Sequence, residues 1–164
     1  ISAFLAEWET TQPLSHFTEE ELDLHPFGLI HQTLGMLYAR AWRETDNQDQ
    51  KQKYVDQAVQ QFDLASRKMA RGGALLKALA YVAQLRKYVF LDEAHGLDAS
   101  ARNFLSQILQ AFTGHLAEHF GSAAWTEDEQ GNAAGFFGKH DPGPGRSHVD
   151  RARSLVQAVR FNYW

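Results

Sequence analysis

The sequence predicts an all-α fold, an irregular bundle of about six helices forming one domain over residues 1–164. Three observations carry this reading. Apolar residues recur at helical spacing through most of the chain, capping residues stand where those runs begin, and no Val/Ile/Thr-rich alternating run is long enough to start a sheet.

Phe4, Leu5 and Trp8 share one helical face, which predicts a short helix from Ser2 to Glu9 before Thr10, Thr11 and Pro13 interrupt it. Thr18 and Glu21 form a capping box, Phe17 is placed to staple against Leu22, and His25-Pro26 closes that turn. From Phe27 to Thr45 the stripe of Phe27, Ile30, Leu34, Leu37 and Ala41, broadened by Tyr38 and Trp42, is the expected buried face. Asn47 and Gln50 mark the start of the following helix, whose buried side is expected to be Val55, Ala58, Val59, Phe62, Ala65 and Met69.

Gly72 and Gly73 are expected to end that helix through a left-handed cap. The next runs from Ala74 to Ala94, with Leu75, Leu79, Val82, Leu85 and Val89 aligned, and Gly96 stops it. Asp98 caps a run from Ala101 to Phe120 whose apolar side carries Phe104, Leu105, Ile108, Leu109, Phe112 and Leu116. Periodicity then disappears over residues 121–146, a glycine-rich loop of a length that usually serves function or mobility. Ser147 caps a last helix with Val149, Ala152, Leu155, Val156 and Val159 inward, and Phe161, Tyr163 and Trp164 follow as an apolar terminus expected to dock on the bundle or a partner.

Composition narrows the function. Hydrophobic residues make up 44% of the chain, including eleven Phe, four Trp and five Tyr, enough to fill a core without a staple. No cysteine is present, which removes disulfides, thiolate chemistry and thiolate-bound zinc; that leans toward the cytoplasm and leaves the periplasm and secretion open. The chain opens at Ile1 rather than methionine, as a processed form or a fragment would. A formal charge of -4 argues against nucleic acid as a partner, and the lack of an apolar stretch long enough to span a bilayer argues against a membrane. Arg146, Arg151, Arg153 and Arg160 form the nearest approach to a basic cluster and read as solvated positions.

No cofactor is predicted, but two sets of residues have the types that chemistry uses. His115 and His119 stand four apart on one helix, so their rings project in similar directions and suit a divalent metal, with His31, on the largely apolar side of its own helix, as a third ligand or a base. In the loop, Asp128, Glu129, His140 and Asp141 offer carboxylates and an imidazole for acid–base work beside the aromatic surface of Trp125, Phe136 and Phe137. The bland reading of His31 is a core-edge histidine with its hydrogen bonds satisfied. That of His115 and His119 is a pair placed favourably near a helix C-terminus.

Leu34, Gly35 and Tyr38, followed by Ala58, Phe62 and Ala65, give the second and third segments a pairing that resembles a tetratricopeptide-type helical hairpin over about 40 residues. The resemblance implies that Gly35 lets the neighbouring helix approach closely, and that the hairpin serves protein recognition. The interval from Tyr38 to Ala58 is longer than the repeat uses, and position 70 is Ala where the repeat commonly has proline. The helix pairs and the Gly135-Phe136-Phe137 loop also resemble a piece of an α/α-toroid carbohydrate enzyme, of which this chain would be a fragment. His140-Asp141 resembles the paired metal ligands of helical phosphohydrolases, set here before proline and glycine instead of inside a helix.

The expected function is a soluble interaction or scaffolding module that meets a protein partner through Trp125, Phe136, Phe137 and Trp164, since aromatic anchors concentrate interface energy. The alternative is a helical enzyme or small-ligand-binding domain, a metal-assisted hydrolase or a carbohydrate-active fragment, built on the histidines and loop carboxylates.

Overall fold

A computed structural model describes residues 27–120 and 145–163, and the side chains within 28–115 and 145–157. Five helices occupy the described residues: α1 (Phe27–Glu44), α2 (Gln48–Met69), α3 (Ala74–His95), α4 (Ala99–Phe120) and α5 (His148–Tyr163). No strand occurs among the described residues, so the fold class is all-α. The helix expected at Ser2–Glu9 and the turn at Thr18 lie outside the described residues, as does the loop from 121 to 144. No helix among the described residues is long and apolar enough to cross a membrane.

Local chemistry sets the boundaries. Asn47 Oδ1 accepts from the Gln50 amide at 3.1 Å, while the Asn47 amide donates to Thr45 Oγ1 at 3.3 Å, so Thr45 supplies the return bond expected of Gln50. Asp98 Oδ1 accepts from the Ala101 amide at 2.7 Å, and Ser147 Oγ accepts from the Asp150 amide at 3.1 Å while donating to the Asp150 carboxylate at 2.6 Å. The left-handed glycine expected after α2 is not there. Ala70 ends α2 in a right-handed conformation and Gly73 opens α3 in an extended one. Among the described residues the positive φ belongs to Gly96, at 75°, where an L side chain would be strained.

Consecutive helices from α1 to α4 pack as neighbours, and α5 returns against α3 and α4. The core lies in two clusters. Met69, Leu76, Leu79, Val82, Leu85, Leu105, Leu109, Phe112, Ala152 and Leu155 join α2, α3, α4 and α5. Ala39, Val55, Ala58, Phe62 and Phe90 join α1, α2 and α3, with Tyr38 and Trp42 packed on them. Trp42 meets Phe90 edge to face at 5.3 Å between centroids.

The expected buried face of α1 is not its most buried one, although Tyr38 and Trp42 at its edge do pack on the core. The residues it buries are Gly28, His31, Gln32, Gly35 and Ala39, which are small or polar. Leu37 of the expected core stripe is 55% exposed, and Ile30, Leu34 and Ala41 are half-buried. Glycine is the cause. A Cβ at Gly35 would stand 2.8 Å from the Phe62 ring, and one at Gly28 would collide with the Met69 side chain, so α1 lies against α2 along the one face that permits such an approach. Leu75 and Phe104, also expected in the core, are each 54% exposed.

Gly35→Ala therefore places a methyl against a fully buried ring, and the overpacking, about 1–3 kcal/mol, outweighs the gain in helix propensity of about 1 kcal/mol. Gly114 in α4 has nothing within 4 Å of such a methyl, so Gly114→Ala is expected to stabilise by about 0.5–1 kcal/mol. Urea denaturation of the two variants should move the midpoint in opposite directions.

Candidate functional site

Two features of α1 bear on function, one on each side of the helix. On the outer side Ile30, Leu34, Leu37 and Ala41 follow at intervals of four, three and four residues, the interval of a helix-on-helix seam. None of the four packs on either core cluster among the described residues. Arg40 stands beside this line, exposed, and pairs with Glu44 at 2.7 Å.

On the inner side is a buried polar cluster. Gln61 Oε1 can only accept, so His31 donates to it from Nδ1 at 2.6 Å and the lone pair falls on Nε2. That Nε2 is buried with no hydrogen-bond partner. Burial holds the His31 pKa below the usual histidine value, and the Gln61 bond opposes the shift without cancelling it. One residue on, Gln32 Oε1 accepts from Arg86 Nη1 at 2.7 Å, leaving the Gln32 amide nitrogen buried without a partner. Arg86, on α3, is itself only 7% exposed.

Arg86 also lines a cleft of about 320 Å³ between α1, α2, α3 and α5. Ala39, Phe62, Val89, Phe90 and Val156 give it apolar walls, and Arg43, Arg153 and Glu93 bring further charge. Arg43 Nη2 donates to Glu93 Oε2 at 2.5 Å, and Arg153 stands 3.6 Å from the other oxygen of the same carboxylate. Arg153 lies 3.9 Å from Asp92 and 3.8 Å from Asp150 as well. The cleft thus holds three guanidinium groups and one carboxylate, with the most buried cation fixed by Gln32.

His115 faces a different cleft, also about 320 Å³, with Ser66, Lys77, Tyr81, Gln84 and Ile108. Its Nε2 lies 3.4 Å from the Ala74 carbonyl oxygen and its ring 5.7 Å from that of Tyr81. The structure therefore places His31 and His115 in separate surroundings. Among the described residues no three His, Asp or Glu side chains converge as metal ligands. His119 lies on α4 with its side chain outside those described, and Trp125, Asp128, Glu129, Phe136, Phe137, His140, Asp141 and Trp164 lie outside the described residues altogether. Comparison with protein-family models, curated proteins and solved structures returned no match, so the site is read from its own geometry.

Nothing in the local pattern singles out Gln32 or Gln61, and Arg153, which reads as a solvated position, is instead half-buried among Asp92, Glu93 and Asp150. A signal existed for Arg86. It occupies the same helical face as Leu79, Ala83 and Phe90, all buried, so a charge stands where the pattern asks for an apolar residue.

The lowered pKa of His31 gives stability a sign with pH. The unfolded chain takes up the proton more readily than the folded one, so this contribution is complete above about pH 6.5 and is lost as pH falls below that value toward the lowered folded-state pKa. Thermal midpoints measured between mildly acidic and neutral pH should fall more steeply on the acid side for the wild type than for His31→Gln. Parallel profiles would show that His31 does not carry the slope.

Proposed function

We infer that the chain is an interaction or scaffolding module whose docking face is the outer line of α1, and that its partner there is an amphipathic helix of another protein. The observation that carries this is the apolar line of Ile30, Leu34, Leu37 and Ala41, exposed at Leu37, half-buried at the other three and outside both core clusters, on a helix that turns its small and polar residues to the core. Spacing of four, three and four is what a second helix reads when its side chains interdigitate, and neither a strand nor a flat surface requires it. The tetratricopeptide-type hairpin belongs to the same reading, with Gly35 against Phe62 as its support.

A fluorescent helical peptide with leucines at this spacing tests the proposal against the whole chain. Leu37→Glu changes an exposed position outside both cores, so it should alter stability by no more than about 0.5 kcal/mol. The same change places a charge in the seam and should weaken the peptide at least roughly tenfold. Unfolding of the variant would mean that the seam is part of the core. Equal binding to both forms would place the docking face elsewhere; either result removes this reading.

A further inference from the structure

We propose that His31 is the latch of a pH-dependent switch: protonation of its ring releases α1 from α2 and α3 while the bundle of α2 to α5 stays packed. The switch does not rest on the docking face, because it concerns the side of α1 that is turned to the core.

The position of His31 makes it decisive for that contact. Gly28 meets Met69 and Gly35 meets Phe62, so His31 and Gln32 lie between the two close approaches that seat α1 on α2. Both are almost wholly buried, at 3% and 1% exposure. A neutral ring fits there, donating from Nδ1 to Gln61 Oε1 at 2.6 Å and keeping on Nε2 a lone pair that is buried without a partner. A proton on Nε2 turns that lone pair into a charged donor, and a buried charged donor needs an acceptor. The oxygen of the adjacent Gln32 is taken by Arg86, and the Gln32 nitrogen can only donate.

The charged groups on the helices packed against His31 do not offset this. From α3, Arg86 reaches the neighbouring Gln32 and is a cation. From α2, Lys68 is buried on the helical face that carries Gln61 and Ala65, and it too is a base. The carboxylates that follow Gln61 on α2 and Arg86 on α3 are engaged elsewhere, Asp63 by Lys87, Asp92 by Arg153, and Glu93 by Arg43 and Arg153. Burial accordingly keeps the ring neutral to lower pH than a free histidine.

The divided core makes the release local. Buried members of the larger cluster come from α2 to α5, and α1 adds to it only the partly buried Leu29. The buried apolar residue of α1 is Ala39, in the smaller cluster. Departure of α1 therefore opens the smaller cluster and leaves the larger one closed, a partial opening of the kind that costs less than global unfolding.

Hydrogen exchange of the full chain tests this between about pH 7 and about pH 5, read as protection factors so that the intrinsic pH dependence of exchange is removed. Amides of α1 should be at least roughly tenfold less protected than those of Leu105, Leu109 and Phe112 in α4. Across that range α1 protection should fall at least roughly threefold, the ceiling for one proton being about tenfold per pH unit below about 6.5. His31→Gln, neutral throughout, should abolish the fall, whereas His115→Gln, at the other cleft, should keep it. Should His31→Gln not fold, the ring resonance of His31 in the wild type decides: a midpoint below about pH 6.5 is expected, and one at or above it overturns the proposal. Equal protection of α1 and α4, a wild-type profile without the acid fall, or a folded His31→Gln that retains it overturns the proposal as well.

Discussion

The contact on which the rest of the structure depends is the approach of α1 to α2 through Gly28 and Gly35. At these two positions any side chain would occupy space that Met69 and Phe62 already fill. Once the helices meet along this line, the rotation of α1 about its own axis is decided. Its neighbours on that face, His31, Gln32 and Ala39, go inward, while Ile30, Leu34 and Ala41 are left half-buried and Leu37 exposed. Packing density rewards the choice, because a helix without Cβ atoms at these two positions lets the Met69 and Phe62 side chains of its neighbour come into van der Waals contact with its backbone.

The same rotation explains why the core is divided. Along α2 the members of one cluster end at Phe62 and those of the other begin at Ala65; along α3 the division falls between Leu85 and Phe90. The polar residues occupy that boundary on each helix: His31 and Gln32 between Leu29 and Tyr38, Gln61 beside Phe62, and Arg86 after Leu85. A buried guanidinium is costly unless its donors are met, and an apolar residue of similar volume often serves stability as well or better. Arg86 at the seam of the two cores is bound to a buried amide, which meets part of that need.

Much of this architecture was legible in the sequence, and the errors share a physical source. The helical segments from Phe27 onward were visible from periodicity, and Asn47, Asp98 and Ser147 announced their helix starts because a side-chain oxygen must satisfy amides there whatever the tertiary fold. The rotation of α1 was not legible. Hydrophobic periodicity assigns the larger apolar side to the interior, while close approach favours the side with least volume, and on α1 these two criteria select opposite faces. Leu75 and Phe104 were misplaced by the same rule, each continuing an apolar run beyond the part of its helix that a neighbour covers. The cleft was hidden for a different reason. Its charged residues lie on three helices separated by 43 to 67 positions in the chain, from Arg43 to Arg86 and from Arg86 to Arg153, and no local pattern links residues at such distances.

Glu93 shows how the two sides of α1 are related mechanically. It receives Arg43 from α1 and Arg153 from α5, so one carboxylate on α3 ties together the helix that carries the seam and the helix that closes the cleft. Ion pairs at this degree of exposure contribute at most about 1 kcal/mol, and the attachment of α5 rests instead on Ala152 and Leu155, which are fully buried in the larger cluster. The arginine pairs are thus not what holds α5 in place; they set how its N-terminal half meets the rim of α1. Anything that draws Arg153 away from Glu93 changes that rim without disturbing the core beneath it.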